Sequence, residues 1–372
     1  MLGEAFPQHS ARSRGTRRIA TSLALATAAV LVAACGSSST GSGATGKPQP
    51  DPATVNLGYL VNFTHAPALI GVTQGYFQKA MPNGTTVKTT TFASGPPESE
   101  ALLGGTLDAA FVGPGPAINA FLKTKGKVLI IAGTASGGAG LVVSPAIASG
   151  NFPADLAGKT ISSPSLGNTQ DIALRTWLAS KGLTTNRNGG GQVNIDTSSG
   201  NSVSLQNFEA GKIAGGWVPE PYESQFILQG KGTLAVDEAS LWPGGQFPTT
   251  VLVVTQSLLQ NHPDIVNDLL KGLVQSVKWI NANESTAPEA VNSALASTTG
   301  GKALKANVLA LAWTHLSFTL DPLAADLQTN ANESQKLGFN STSDIKGILD
   351  LGPLNKILTA AGDSTVSAGS VG

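Results

Sequence analysis

The chain has 372 residues, with 23 Lys and Arg against 23 Asp and Glu, 44 Gly and a single Cys. This length predicts about two domains, and the zero net charge argues against a nucleic-acid-binding protein, which normally carries a basic surface. One Cys excludes both a disulfide framework and a zinc site built from several thiolates.

The first 34 residues resemble a bacterial lipoprotein signal peptide. A basic cluster ending at Arg17 and Arg18 precedes an uncharged, Ala- and Leu-rich run over 19–34, which is short for a membrane span. Small residues then lead into Cys35, where cleavage and lipid attachment are expected. A stray Cys after an ordinary signal peptide is the alternative, but a Gly- and Ser-rich stretch follows, as in a lipoprotein tether. We predict a signal peptide over 1–34, lipidation at Cys35 and a flexible tether over 35–52.

Cleavage before Cys35 would remove four arginines and Glu4, so the net charge of the remaining chain becomes about −3. Acyl chains on Cys35 would hold the folded part at the extracytoplasmic face of the cell membrane. The later apolar runs have the length of strands, and we predict no further membrane segment.

The next part of the chain contains the same order of elements twice, about 106 residues apart. Each copy predicts a strand, a loop, a helix, a strand, a loop, a helix and a strand. Any two α/β units look broadly alike, but the turn residues also match, which favours a duplicated architecture. Short apolar strands that alternate with helices predict parallel sheets. The predicted elements are 55–59, 66–74, 87–92, 98–103 and 107–113 in the first copy, and 160–162, 172–180, 193–196, 205–208 and 213–219 in the second.

Two apolar strands flank the second copy, at 141–143 and 251–254, and we interpret both as crossings between lobes. The first lobe would then be discontinuous. The predicted domains are 53–143 (first part of lobe 1), 144–250 (lobe 2) and 251–372 (return to lobe 1 with C-terminal helices).

Two helices are predicted in the C-terminal part. One spans 263–282 with an apolar face. The other begins at Asp321 as the cap, has Pro322 in its first position and ends at Gly338.

Polar residues follow the strands of both copies, where parallel sheets bind their ligands. Helix starts at these places offer free N–H groups that can hold an anion without Lys or Arg. Ser, Thr and Asn are also ordinary helix caps, so the convergence of many helix starts is the argument for a site. The predicted ligand-binding residues are Asn62, Thr64, His65, Ser94, Gly95, Pro96, Gly113, Pro114, Asn168, Thr169, Gln170, Asn201, Trp217 and Glu220.

For three side chains near these strand ends, the sequence leaves open whether they contact a ligand. Trp217 could stack on an organic ligand or lie in the core. Glu220 could accept a hydrogen bond from a ligand or face solvent. Arg175 could reach an anion, but we expect it to face solvent.

Catalytic and metal motifs are scarce. His262 and His315 are interpreted as structural, and no two His have metal-ligand spacing. The sequence contains no Gly-x-Ser-x-Gly elbow and no phosphate-binding loop. We expect no catalytic residue, no metal and no cofactor.

Several stretches resemble the nitrate/sulfonate/taurine-binding family of ABC importer substrate-binding lipoproteins, in particular its aliphatic-sulfonate-type branch. The resemblance covers nearly all of 53–345. The stretches that carry it are NFTHAPALIG (62–71), EALLGGTLDAAFVGPGPAIN (100–119), 131–143, LGNTQDIALR (166–175), WVPEP (217–221), and 237–254 with LWPGGQFPTT inside it.

This resemblance implies an α/β, two-lobed periplasmic-binding-protein-like fold of type II with two crossovers. It implies capture of a small organosulfonate, such as taurine or an alkanesulfonate, between the lobes and delivery to a permease that works with an ATPase. Nitrate, bicarbonate or a thiamine-precursor-like heteroaromatic is the alternative ligand. An enzyme on this scaffold is the second alternative, but the clustered Cys and His of a related pyrimidine-synthase branch are missing. No nucleic-acid partner is expected.

Overall fold

The computed structural model describes residues 54–188 and 190–372, so the predicted signal peptide, Cys35 and the tether lie outside the described residues. The strands are Thr54–Leu60 (β1), Thr86–Phe92 (β2), Ala109–Val112 (β3), Val128–Gly137 (β4), Ala139–Val143 (β5), Thr160–Ser162 (β6), Asn194–Asp196 (β7), Gly215–Pro219 (β8), Thr233–Asp237 (β9), Pro248–Thr255 (β10) and Leu316–Ser317 (β11).

The helices connect these strands and cover both sheets. They are Ala66–Thr73 (α1), Tyr76–Ala80 (α2), Gly95–Leu103 (α3), Pro114–Thr124 (α4), Pro145–Ala148 (α5), Thr169–Ser180 (α6), Gly200–Glu209 (α7), Tyr222–Leu228 (α8), Gln256–Asn261 (α9), Pro263–Ala282 (α10), Ala287–Thr299 (α11), Ala306–Thr314 (α12), Ala324–Lys336 (α13) and Gly352–Ala360 (α14). Within the described residues, none of these helices is long and apolar enough to cross a membrane.

The strands form a six-stranded sheet in the order β11-β4-β10-β3-β1-β2 and a five-stranded sheet in the order β7-β6-β8-β5-β9. We call the six-stranded sheet with its helices the first lobe and the five-stranded sheet with its helices the second lobe. Strand β1 lies between β2 and β3 and is parallel to both, and β6 is parallel to β7 and β8, as predicted. The duplicated architecture is therefore visible in the strand order, since β4-β10-β3-β1-β2 corresponds to β9-β5-β8-β6-β7.

Both faces of the first sheet are buried. In β3, Ala109 and Phe111 belong to one hydrophobic core, whereas Ala110 and Val112 belong to the core on the opposite face. This alternation follows from the period of two in a strand, and a strand covered on both faces is apolar throughout. The second sheet likewise has a core on each face. The chain is thus a two-lobed α/β protein with helices on both sides of each sheet.

The two strands that were interpreted as crossings lie wholly within one sheet or the other. Strand β5 pairs with β8 and β9 of the second lobe, so the expected end of the first segment at 143 is too late. Strand β10 pairs with β3 and β4 of the first lobe, so the expected return at 251 is also too late. The first crossing is made by Gly137 and Gly138, both with a positive φ that glycine adopts without strain. The second crossing lies between β9 and β10.

The C-terminal helices pack mainly on the first lobe. Helix α10 has the predicted bounds, and its predicted apolar face is buried against α1, α2 and α14. Helix α13 begins later than predicted, at Ala324. The carboxylate of Asp321 accepts a hydrogen bond from Leu323 N at 2.8 Å, and Leu323 has a left-handed φ of 55°, which delays the helix start.

Candidate ligand-binding site

A small cavity lies between the two lobes, at the carboxyl ends of the parallel strands. Its volume of about 10 Å³ is roughly what a single water molecule needs, so the lobes are closed around it. The lining residues are Leu60, Asn62, Thr64, His65, Ala93, Ser94, Gly113, Pro164, Asn168, Thr169, Gln170, Asn201, Pro219 and Thr249.

Nine of the predicted ligand-binding residues line this cavity. They come from both lobes and follow strands β1, β2, β3, β6 and β7, as the rule for parallel sheets predicts. They are Asn62, Thr64, His65, Ser94, Gly113, Asn168, Thr169, Gln170 and Asn201.

His65 is a buried imidazole in the wall of the cavity. Its Nε2 lies 2.9 Å from Phe111 O, and because a carbonyl oxygen only accepts, Nε2 carries the proton of the neutral ring. Nδ1 lies 3.1 Å from the Thr64 hydroxyl and 2.7 Å from the side chain of Asn62. Burial removes the ring from water and lowers the pKa of His65 to about 3. The site therefore holds an imidazole that is neutral at neutral pH, with Nε2 donating to Phe111 O.

The helices that begin at the cavity offer fewer N–H donors than the sequence-based argument assumed. Prolines occupy positions 96 and 97 of α3 and positions 114 and 116 of α4, and proline has no N–H. Helix α6 begins with Thr169 and Gln170, whose N–H groups have no acceptor within the helix. An anion would therefore depend on α6 and on polar side chains more than on α3 and α4.

Two of the polar side chains at these helix starts are available to the cavity. Ser94 and Asn168 occupy the N-cap positions of α3 and α6, but neither side chain caps its own helix. The amide nitrogen of Asn168 instead donates to Gln170 Oε1 at 2.9 Å. Asn201 contributes a buried side-chain oxygen that has no partner.

The lobes touch each other beside the cavity. Gly115 N of α4 donates to Thr169 Oγ1 of α6 at 3.2 Å, and Phe63 N donates to Glu220 O at 3.0 Å. A Cβ on Gly113 would lie 2.5 Å from Thr169 Oγ1, which is too close for two non-bonded atoms. Glycine at this position therefore permits the close approach of the lobes.

Two predicted ligand contacts lie outside the cavity. Trp217 is fully buried in the core of the second lobe, because it is in the middle of β8 and packs on the face of the sheet against Trp177. Glu220 follows β8, but its carboxylate turns away and accepts from Ser224 Oγ at 2.8 Å. Beside the cavity, Glu220 contributes its backbone, whose carbonyl oxygen accepts from Phe63 N.

Three further predicted residues, Gly95, Pro96 and Pro114, do not line the cavity. Pro96 lines a separate small pocket, and Gly95 and Pro114 are buried in the first turns of α3 and α4. Gly95 nevertheless packs close to the cleft, since a Cβ there would lie 3.2 Å from Asn168 Oδ1.

Arg175 is buried rather than solvent-facing. Its Nε lies 3.0 Å from Asp171 Oδ1, and its NH1 donates to Asn186 O at 2.8 Å. Asp171 also accepts from Gly167 N at 2.9 Å and from Ser163 Oγ at 3.0 Å. This buried pair therefore fixes the loop that carries Asn168 into the cavity.

Five lining residues are not among the predicted ligand-binding residues: Leu60, Ala93, Pro164, Pro219, which ends β8, and Thr249. Leu60 ends β1, Ala93 follows β2, and Pro164 comes two residues after β6, so the strand-end rule applied to every residue would have found them. Thr249 does not follow that rule. It is near the start of the antiparallel strand β10, which begins at the cavity.

A larger groove of about 650 Å³ adjoins the cavity and shares Leu60, Asn62, Ala93 and Asn201 with it. Helices α7 and α8 of the second lobe form one side, and the end of α11 with Lys302 forms the other. The cavity and the groove together make a polar pocket with a wider mouth.

Three side chains of the kinds that can bind a metal ion lie next to the first crossing, at Gly137 and Gly138. Ligand atoms of Glu220, Glu223 and His315 lie within 4.8 Å of one another. His315 Nδ1 is 2.7 Å from Glu220 Oε1 and 3.0 Å from Glu223 Oε1. The two carboxylates share the ring proton, so the arrangement is an ion pair in this structure.

The model of the NMT1-like family matches residues 48–295, which is more than half of the chain. The chain belongs to the NMT1-like family. No curated protein sequence matches the chain.

Solved structures show the same fold at low sequence identity. The alkanesulfonate-binding protein SsuA from Xanthomonas axonopodis pv. citri, bound to MOPS, has a TM-score of 0.64 and 18% identity over 78% of this chain and 95% of its own. The periplasmic nitrate-binding protein NrtA from Synechocystis PCC 6803 has a TM-score of 0.69 and 17% identity, and the match covers 84% of this chain and 89% of NrtA. The periplasmic aliphatic sulphonate-binding protein SsuA from Escherichia coli has a TM-score of 0.61 and 18% identity, and the match covers 80% of this chain and 91% of that SsuA. The two-lobed periplasmic-binding-protein-like fold is therefore confirmed.

Proposed function

We propose that the protein is the extracytoplasmic solute-binding component of an ABC importer and that it captures a small organosulfonate between its lobes. The observation that carries this proposal is the polar cavity at the strand ends of both sheets. Family membership and the solved sulfonate- and nitrate-binding relatives support it. A permease and an ATPase would be its partners.

The shape of the pocket favours a ligand with a polar head and an organic body. The cavity is lined by hydroxyl and amide side chains, which can donate to the three oxygens of a sulfonate group. The adjoining groove is wide enough for an alkyl or aminoalkyl part, and Leu60 and Ala93 lie at its junction with the cavity. The neutral His65 adds polarity without a full charge, so the ligand would be held by hydrogen bonds and helix dipoles.

Nitrate is the second candidate, because a compact anion would need less opening of this small cavity than a sulfonate and would not use the groove. Bicarbonate is similar in size. A heteroaromatic ligand has less support, since among the described residues that line the cavity none is aromatic apart from His65.

We further propose that the protein performs no chemistry on its ligand. Nε2 of His65 donates to Phe111 O, and Nδ1 lies against the side chains of Thr64 and Asn62, so the ring would offer the ligand no accessible general base. The proposed membrane attachment is a lipid on Cys35, with 35–52 as the tether.

Isothermal titration of the protein without its tether tests this function. The panel is taurine, butanesulfonate, nitrate, bicarbonate and a pyrimidine. We expect the tightest binding for a sulfonate. Sulfonate affinity no better than millimolar would contradict the proposed ligand class, and tighter binding of nitrate would favour the second candidate. Turnover of any panel member would contradict a pure binding role.

A further inference from the structure

A second cavity, of about 330 Å³, lies along the later turns of α6, whose first residues line the polar cavity. Its walls come from both lobes. Helix α6 of the second lobe supplies one wall, the crossing segment 238–243 supplies another, and α13 supplies the third. We call this space the aromatic pocket.

Aromatic and aliphatic side chains form most of its surface. The indoles of Trp177 and Trp242 line it, together with Leu241, which is 48% exposed. Trp242 is fixed by stacking on Phe247 with ring centroids 5.9 Å apart, and Trp177 stacks on Phe152 at 5.6 Å. Rigid indoles of this kind provide electron-rich faces that attract cations.

Two carboxyl groups complete the pocket. Glu238 is fully buried, and its Oε2 accepts from Trp217 Nε1 at 2.7 Å. Glu333, on α13, lines the same space from the other lobe. Among the described residues that line the aromatic pocket none is basic, so these two acids have no cationic partner there. The Thr176 hydroxyl is also in this wall and has no hydrogen-bond partner.

We propose that the aromatic pocket binds a small organic ammonium ion. Indole faces and two carboxyl groups are the chemistry that recognises an alkylated or quaternary ammonium, because the cation gains from both while its carbon groups fill the apolar part. Its walls come from both lobes, so an occupant would bridge them at a place separate from the polar cavity.

The state of the two acids supports this assignment. Burial, together with the negative charges of Glu333 and Glu223, raises the pKa of Glu238 to about 8, although Trp217 and Trp242 oppose the rise by donating to the carboxylate. Burial raises the pKa of Glu333 to about 7, and Lys336 opposes this. Lys181 lies outside the pocket, with Nζ 5.8 Å from the Trp177 ring. A bound cation stabilises both carboxylates, so its affinity falls as pH drops from above 8 to below 7.

Titration calorimetry with choline and with its neutral isostere, 3,3-dimethylbutan-1-ol, tests the proposal on the whole folded protein. We expect choline to bind with a Kd below about 1 mM, and the isostere at least about tenfold more weakly. Equal binding of the two would overturn the proposal, because it would show an apolar cavity without charge recognition. No binding of choline would overturn it as well.

The matched variants are Glu333→Gln and Glu289→Gln. Glu333→Gln keeps the size of the side chain and should weaken choline about tenfold, with no change in the weak binding of the isostere. Glu289 is exposed on α11, away from the pocket, and its variant should bind choline like the parent protein. Unchanged choline affinity in Glu333→Gln, with an unchanged melting temperature, would rule out this pocket as the cation site.

Discussion

His315 Nδ1 lies 2.7 Å from Glu220 Oε1, and this ion pair joins the two lobes. His315 immediately precedes β11, which pairs with β4 of the first lobe, whereas Glu220 follows β8 of the second. A second carboxylate, from Glu223, approaches the same nitrogen at 3.0 Å. Because its Nδ1–H donates to the carboxylates of Glu220 and Glu223, the pKa of His315 is raised to about 10, so the imidazole is charged at neutral pH.

His315→Gln should therefore destabilise the protein by about 2 kcal/mol, because it leaves two buried carboxylates without their cation. The imidazole is partly exposed, so the loss of stability is smaller than for a fully buried ion pair. The folded pKa of about 10 exceeds the ordinary 6.5, so the stabilisation is complete below pH 6.5 and is lost as pH rises through about 10. Urea denaturation at several pH values measures this. The control is Lys123→Met, which breaks the exposed pair with Glu100 and should change stability by at most about 0.5 kcal/mol. Equal effects of both variants at pH 6.5 would refute the proposed role.

Asn168→Ala and Ser94→Ala should each weaken ligand binding by about 1–2 kcal/mol, since each removes one hydrogen-bonding group from the polar cavity. Calorimetry with the best panel ligand gives this value. Asn332→Ala, on the exposed side of α13, is the matched control and should bind normally. Unchanged affinity in both cavity variants would discredit the cleft as the binding site.

His65 should remain neutral across the usual working range of pH. Its folded pKa of about 3 is below the ordinary 6.5, so protonation favours the unfolded chain and stability declines as pH falls below 6.5. In NMR spectra, the ring signals of His65 should not shift as pH passes through 6.5. A titration near 6.5 would show that the ring is open to water.

Gly113→Ala should hold the lobes apart, because the new Cβ would lie 2.5 Å from Thr169 Oγ1 when they are closed. We expect a larger radius of gyration in solution scattering with saturating ligand, and weaker ligand binding. Gly352→Ala is the comparison variant, because the new methyl would meet only the Asp350 side chain at 3.4 Å. A Gly113→Ala protein that closes like the parent would mean that the contact relaxes easily.

Cys35→Ser should release the protein from the membrane fraction, because a serine cannot carry the proposed lipid. Cell fractionation followed by detection of the protein makes the comparison. Continued membrane association of the variant would argue against lipidation at Cys35.

Much of the fold was predictable because periodicity and turn residues are local signals. The repeated strand–helix order, the parallel pairing and the bounds of α10 follow from them. The assignment of β5 to a lobe did not, because a short apolar strand pairs equally well with either sheet. Asp321 misled the helix prediction for a related reason: a side chain that can cap a helix can also close a turn.

The site was predictable where strand ends decide it, as for Asn62 and Asn168. It was not predictable where a distant residue redirects a side chain. Glu220 turns away from the cavity because Ser224 and His315 bind its carboxylate, and His315 is 95 positions further along the chain. Arg175 is buried because Asp171 and Asn186 offer it acceptors, which neither composition nor spacing reveals.

The closed cavity sets a condition on how fast the protein can exchange its cargo. A solute larger than water cannot pass while Gly115 remains bonded to Thr169 and Phe63 to Glu220, so loading and unloading both wait for these contacts to break. At high solute concentration the observed loading rate should therefore stop rising and level off at the opening rate of the lobes. A transporter supplied by such a carrier would have its maximum throughput limited by a motion of the carrier, whichever solute is present.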